Sequence, residues 1–208
     1  MREAGVVVST EGNLSARCAP DRVLTTPSGV DKGRLAPEDL VEVELDGTVH
    51  GDGRPSTEID MHLAIYAERP DLQAICHGHP PHATAFAAAH RALDGCVLPE
   101  IVCEFGAVPL TEYGTPSTDE VADSVRPVFR DHDVALLRNH GVVVAATTPT
   151  KAFHRMETVE RLAQITWIAE SLGGAKRLTR AQVDRLMQVR GVYGFDRPVP
   201  PCRACDDD

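Results

Sequence analysis

The chain has 208 residues, of which 42% are hydrophobic and 25% are charged, as in an ordinary globular domain. Its formal net charge of −10 argues against broad binding to nucleic acid or to an anionic membrane surface. Because no apolar run reaches the roughly 18 residues that cross a bilayer, the sequence also argues against a membrane-spanning segment.

The first fifty residues predict short strands joined by turns. Residues 22–25 form a predicted strand that ends at Thr26-Pro27-Ser28-Gly29, and residues 40–45 alternate apolar with acidic side chains, as half-exposed strands do. Asp46-Gly47 is a typical hairpin turn, so we expect a partner strand near Val49.

Helices and strands alternate in the rest of the chain. A helix is predicted to begin at Ser56-Thr57, with Ser56 as its N-cap, and to end at Pro70. The later predicted elements are a strand over 72–79, a helix over 82–90, short strands within 97–110, a helix from the capping box 117–120 to about 130, strands over 134–138 and 142–146, a helix from Thr148-Pro149 to Gly173-Gly174, and a helix from Thr179 to near Gly191.

This order predicts an α/β fold, with a mixed sheet and helices on both faces. No linker or repeat divides the sequence, so we expect a single domain over residues 1–208. The N-terminus lacks a signal-peptide pattern, which favours a cytoplasmic location and reduced cysteines. Cys202 and Cys205 form a CxxC without the second pair of a zinc ribbon. We therefore expect residues 196–208 to be an exposed, flexible tail with no redox or metal role.

His77 and His79 are the strongest chemical signal in the sequence. Side chains two residues apart in a strand point to the same face, so the two imidazoles would stand side by side. With Glu58 upstream and His140 downstream, they form a donor set that suits Zn²⁺ or a similar ion. The residues alone leave another interpretation open, in which Glu58 stabilises a helix start and the histidines are structural.

Three loops of small residues are candidate anion sites: Gly12-Asn13, Ser28-Gly29 and Ser56-Thr57. Backbone N–H groups and hydroxyls in such loops can surround a phosphate. Taken singly, each loop is better explained as an ordinary turn or cap. Neither GxGxxG nor GxxxxGK[ST] occurs, so the common nucleotide-binding fingerprints are absent from the sequence.

Five motifs follow one another in a distinctive order: Gly12-Asn13-Leu14-Ser15-Ala16-Arg17, Thr26-Pro27-Ser28-Gly29, Ser56-Thr57-Glu58, His77-Gly78-His79 and Asn139-His140-Gly141. In this order, the chain resembles the class II aldolase/adducin family from about residue 5 to residue 193. The resemblance implies a three-layer α/β/α domain with a mixed, largely antiparallel sheet. It also implies a cyclic homotetramer with zinc sites between subunits.

The resemblance further implies a role for each candidate residue. One Zn²⁺ per subunit would be held by His77, His79 and His140, with Glu58 as an additional ligand before substrate binds and as the general acid/base. Tyr113 would act from the neighbouring subunit, and Tyr193 would act from a mobile C-terminal segment. The phosphate-binding residues would be Gly12, Asn13, Ser28, Gly29, Ser56 and Thr57.

The implied activity is cleavage of a phosphorylated ketose, similar to L-fuculose 1-phosphate, into dihydroxyacetone phosphate and a small aldehyde. A pentulose-phosphate 4-epimerase or a sugar-acid phosphate decarboxylase of the same superfamily is the alternative, although the epimerases carry aspartate at the position of Glu58. A non-catalytic, adducin-like domain is less favoured because all three histidines are present. The helix that usually precedes the Gly-Asn motif is expected to be shortened or missing.

Overall fold

A computed structural model describes residues 1–203. Within these residues, seven strands form one sheet in the order β4-β3-β2-β1-β5-β7-β6. The strands are β1 (Asn13–Ala19), β2 (Arg22–Thr25), β3 (Val41–Glu44), β4 (Val49–His50), β5 (Ala74–Gly78), β6 (Val134–Leu137) and β7 (Gly141–Ala146). Neighbouring strands in the sheet pair antiparallel. The largely antiparallel sheet is therefore confirmed, and parallel pairing in the described residues is limited to isolated bridges such as Leu110 with Leu136.

The described part of the chain contains six α-helices, and none of them is both long and apolar enough to cross a membrane. They are α1 (Ile59–Glu68), α2 (Pro81–Ala88), α3 (Pro99–Glu104), α4 (Asp119–Phe129), α5 (Pro149–Ser171) and α6 (Arg180–Val189). The predicted starts of the last three helices are confirmed, since Thr118, Thr148 and Thr179 each accept a hydrogen bond from a first-turn N–H.

Two apolar layers cover the two faces of the sheet, which confirms the predicted three-layer α/β/α architecture. Cys76 and Val144 point into a core built with α2, α3 and α5, whereas Ile75 and Val143 point into a core built with α1 and α4. Because the central strands are buried on both faces, β7 is a continuous apolar run instead of an alternating one.

Two local predictions are wrong. Residues 99–104, expected within short strands, form helix α3, which begins with Pro99 and buries Ile101 and Val102. This six-residue helix is too short to show a helical period in the sequence. The first long helix begins at Ile59, not at Ser56-Thr57, and the Ser56 hydroxyl instead accepts a hydrogen bond from the Glu58 N–H at 3.3 Å. Ser56 therefore shapes the turn that presents Glu58.

The prediction of reduced, exposed cysteines is wrong for one pair. Cys96 and Cys202 form a disulfide with a Cα–Cα distance of 5.4 Å, and Cys202 is buried. Beside it, Arg203 forms an ion pair with Asp94 at 2.8 Å. The two cysteines are 106 residues apart in sequence, so their spacing carried no signal of the pairing. Cys205 lies outside the described residues.

Candidate active site

Three imidazoles converge where β5 ends and β7 begins. β5 and β7 pair with Gly78 opposite Val142, so His140, in the turn before β7, lies beside His79. The ring centroids of His77, His79 and His140 are 4.8 to 5.1 Å apart. One nitrogen of each ring lies within 4.8 Å of the others, close enough for a shared metal ion.

Close backbone contacts fix these rings. The His79 N–H donates to Val6 O at 3.0 Å. Val6 belongs to the segment 1–12, which precedes β1 and contains no helix. A Cβ atom on Gly141 would lie 2.5 Å from His79 Cδ2, so only glycine allows the turn to approach the ring. Asn139 adopts a left-handed conformation with φ of 57°, which asparagine tolerates better than most residues.

The hydrogen bonds leave ring nitrogens free for a ligand. His77 is fully buried, and its Nδ1 donates to Val142 O at 2.9 Å, which leaves the lone pair on Nε2. Within residues 1–203, the Nε2 atoms of His77 and His79 are buried without a hydrogen-bond partner. Unpaired buried acceptors are costly, and a bound cation would satisfy them. The donor set therefore fits a transition-metal ion.

Glu58 completes the cluster from the start of α1. Its Oε1 lies 3.2 Å from His140 Nε2, and its Oε2 lies 3.3 Å from His77 Nε2. Asn13 Nδ2 donates to the same Oε2 at 2.9 Å. Burial opposes ionisation of this carboxyl, but His77, His140 and the hydrogen bond from Asn13 hold the pKa of Glu58 well below its usual range. The group is therefore a carboxylate at neutral pH.

Burial also disfavours the charged form of two of the imidazoles, and there it outweighs the nearby charges. It lowers the pKa of His140 to about 4, and it also lowers the pKa of His79. Neutral imidazole is the form that binds metal ions. His79 and His140 are therefore in the form that binds metal ions at neutral pH.

The three small-residue loops meet beside the histidines, as the sequence analysis expected. They line a pocket of about 250 Å³ that also includes His79, His140 and Glu58. Gly12 has a φ of +66°, and a Cβ atom there would lie 2.8 Å from His77 O. The predicted cradle residues that line the pocket are Gly12, Asn13, Ser28, Gly29, Ser56 and Thr57. Their phosphate-binding role remains a prediction.

Sequence reasoning missed two charged residues in this pocket, Glu11 and Lys32. The Lys32 ammonium donates to Thr10 O, Pro27 O and Val30 O at 3.1, 3.2 and 2.9 Å, so it joins two of the loops. Burial lowers the pKa of Lys32. A lone lysine just after a turn resembles any surface lysine, so no sequence pattern distinguished Lys32 from the others.

Neither of the two predicted tyrosines lines this pocket in its own chain. Tyr113 is 53% exposed and lines a groove along α4. Tyr193 is 66% exposed and borders a separate cavity with Arg155 and Arg197. The structure of one chain therefore does not bring either hydroxyl to the histidines.

The structure thus combines a histidine cluster and a carboxylate with a loop-lined pocket on an α/β/α scaffold. Residues 1–167 match the family described as the Class II Aldolase and Adducin N-terminal domain. The chain belongs to this class II aldolase/adducin family.

Individual relatives agree with this assignment. The 5-deoxy-D-ribulose 1-phosphate aldolase of Bacillus thuringiensis serovar kurstaki is 33% identical, over 93% of this chain and 92% of the relative. The methylthioribulose-1-phosphate dehydratase of Acidiphilium cryptum is 36% identical, over 78% and 82%. A solved L-fuculose 1-phosphate aldolase superposes with a TM-score of 0.84 at 30% identity, over 93% and 90%. Relatives in the family thus include aldolases, a dehydratase and a decarboxylase.

Proposed function

We propose that this protein is a metal-dependent aldolase that cleaves a ketose 1-phosphate into dihydroxyacetone phosphate and a small aldehyde. The observation that carries the proposal is the convergence of three imidazoles and Glu58 beside the loop-lined pocket. L-fuculose 1-phosphate and 5-deoxy-D-ribulose 1-phosphate are the candidate substrates, because relatives over most of the chain are named for them.

His77, His79 and His140 would hold the metal ion, with Zn²⁺ as the first candidate and another divalent transition ion as the second. The ion would supply Lewis acidity towards the carbonyl and adjacent hydroxyl oxygens of the substrate. The three loops would bind the phosphate through backbone N–H groups and hydroxyls and so hold the sugar in one position.

We assign to Glu58 the transfer of the proton at carbon. In the cleavage direction, the bond between C3 and C4 of the ketose breaks, the C4 hydroxyl loses its proton, and C3 gains one. The Glu58 carboxyl would deliver the proton to C3 and would remove it again in the direction of synthesis. Asn13 keeps the carboxylate pointed at the cluster through its hydrogen bond.

The proton of the C4 hydroxyl needs a second group. We propose Tyr113 for this step, supplied by a neighbouring subunit, and Tyr193 as a further contact with the substrate. The proposal is supported by their exposure and by their absence from the lining of the histidine pocket in their own chain. It requires a homo-oligomer, for which we propose a homotetramer with sites at subunit interfaces. Analytical ultracentrifugation measures this directly, and a monomeric enzyme with full activity would contradict it.

A panel of ketose 1-phosphates tests the activity. Dihydroxyacetone phosphate is detected by coupling to glycerol-3-phosphate dehydrogenase, and the aldehyde is identified by mass spectrometry. Release of both products supports an aldolase, whereas turnover without dihydroxyacetone phosphate indicates a dehydratase, an epimerase or a decarboxylase. A purified protein that binds no divalent transition ion would remove the basis of all these activities.

A further inference from the structure

Glu11 lies at the rim of the histidine cluster. Its Oε2 is 3.3 Å from His79 Nδ1, and its side chain is 48% exposed. The next residue, Gly12, packs against the backbone of His77 in a way that leaves no room for a Cβ atom. The loop is therefore held close to the cluster, and this contact presents the Glu11 carboxylate to His79.

The Nδ1 atom of His79, which Glu11 contacts, has different surroundings from the Nδ1 atoms of His77 and His140. His77 Nδ1 faces a neutral carbonyl oxygen, and His140 Nδ1 has no hydrogen-bond partner within residues 1–203. His79 Nδ1 faces a carboxylate, while its Nε2 is buried and has no hydrogen-bond partner within residues 1–203. A carboxylate that accepts the Nδ1–H of a histidine fixes the lone pair on Nε2 and strengthens that nitrogen as a metal ligand.

We infer that Glu11 is a positioning residue that orients His79 and strengthens its bond to the metal ion. This inference rests on the proposed function, because it presumes that His79 binds a metal. Glu11 does not need to touch the ion or the substrate for this role.

Glu11 has a second effect: it weakens phosphate binding, whereas it strengthens metal binding. Glu11 lines the same pocket as the three small-residue loops, together with Lys32. The Lys32 ammonium donates to three backbone carbonyls and forms no ion pair with Glu11 within residues 1–203, so its charge offsets that of Glu11 only in part. A phosphate dianion in this pocket would still be repelled by the Glu11 carboxylate. Glu11 therefore favours the metal ion and disfavours the phosphate.

The variants Glu11→Ala and Glu11→Gln separate these effects. Alanine removes both the acceptor and the charge, whereas glutamine keeps an acceptor and removes the charge. Glu38→Gln is the matched control, because Glu38 is exposed in a short 3-10 helix (Pro37–Asp39) outside the pocket. Zn²⁺ affinity is measured by competition with a chromophoric chelator. Binding of inorganic phosphate to the metal-free protein is measured by calorimetry.

We expect Glu11→Ala to weaken Zn²⁺ binding by about 10- to 100-fold, with a smaller loss in Glu11→Gln. Both variants should bind phosphate about two- to tenfold more tightly, because a like charge is removed. A variant that merely disturbs the loop would lower the affinity for both Zn²⁺ and phosphate. Zn²⁺ affinity that is unchanged in Glu11→Ala, or phosphate affinity that does not rise, would overturn the inference.

The tautomer of His79 gives a readout that needs no metal. In the metal-free wild type, ¹⁵N chemical shifts should show the proton on Nδ1, and Glu11→Ala should shift it towards Nε2. An Nε2–H tautomer in the wild type would overturn the inference while leaving the proposed function intact. A wild-type protein with the Nδ1–H tautomer but no Zn²⁺ affinity would instead refute the proposed function.

Discussion

Asn13 donates its side-chain amide to Glu58 Oε2 at 2.9 Å and so joins the first strand to the start of α1. Asn13 is buried and pairs with His77 across β1 and β5. Its Oδ1 has no hydrogen-bond partner within residues 1–203. The residue that the resemblance assigns to phosphate binding therefore also fixes the proposed acid/base.

Asn13→Ala should lower kcat for ketose 1-phosphate cleavage by about tenfold, and Asn13→Asp should lower it by about 100-fold or more. Alanine releases the Glu58 carboxylate, and aspartate places a second negative charge against it. Steady-state kinetics separates this role from phosphate binding. A raised KM with unchanged kcat in Asn13→Ala would mean that the amide serves the phosphate alone.

Glu58→Gln should leave metal binding largely intact, because the three imidazoles remain. The variant should lose proton exchange on dihydroxyacetone phosphate by at least about 100-fold, since an amide cannot move the proton at carbon. Exchange is followed by NMR in deuterated water, and Zn²⁺ content is measured in the same sample. The control is Glu68→Gln on the last turn of α1. Wild-type exchange in Glu58→Gln would refute the assigned role.

Gly141→Ala should disrupt the cluster through steric contact alone. The added methyl group would lie 2.5 Å from His79 Cδ2 and 2.6 Å from Gly78 O, so the ring or the strand must move. We expect Zn²⁺ affinity to fall at least about tenfold, as for other changes that misplace a ligand. Gly191→Ala is the matched control, since the nearest atom to its new methyl group is 3.6 Å away. Equal Zn²⁺ affinities in the two variants would contradict the steric argument.

Acid should destabilise the fold through His62. This ring is buried on α1, with Nδ1 2.6 Å from Ser15 Oγ, and burial lowers its pKa from 6.5 to about 3. The unfolded state therefore binds the proton more readily than the folded state. As pH falls from about 6.5 towards 3, this group should cost about 1.4 kcal/mol of unfolding free energy per pH unit.

Urea unfolding at pH 7, 6 and 5 measures this slope. His62→Gln cannot take up the proton, so its stability should fall less steeply than that of the wild type over the same range. His50→Gln is the control, because His50 lies on the exposed strand β4. Parallel pH profiles for the wild type and His62→Gln would show that the destabilising proton binds elsewhere.

Loss of the Cys96–Cys202 disulfide should destabilise the protein by about 2–4 kcal/mol, because the bond closes a long loop of the unfolded chain. Cys202→Ser tests this in urea without reductant, and Cys18→Ser, at an exposed free cysteine, is the control. Dithiothreitol should lower the unfolding free energy of the wild type to that of the variant. Equal unfolding midpoints for the wild type and Cys202→Ser would contradict a stabilising disulfide.

The sequence by itself determined the local features that have a short-range physical cause. The two-residue period of a strand predicted that His77 and His79 lie side by side, and their ring centroids are 5.0 Å apart. The predicted capping box at residues 117–120 and the residues Thr148 and Thr179 correctly indicated the starts of α4, α5 and α6. The order of five short motifs identified the family, which the match over residues 1–167 confirms.

Only the tertiary structure decided which distant residues meet. Antiparallel pairing of β5 with β7 brings His140 beside His79, and the closely packed loop before β1 brings Glu11 to the same ring. The Cys96–Cys202 bond joins segments 106 residues apart. No local pattern encodes these contacts, because each depends on strand pairing and packing across the whole domain.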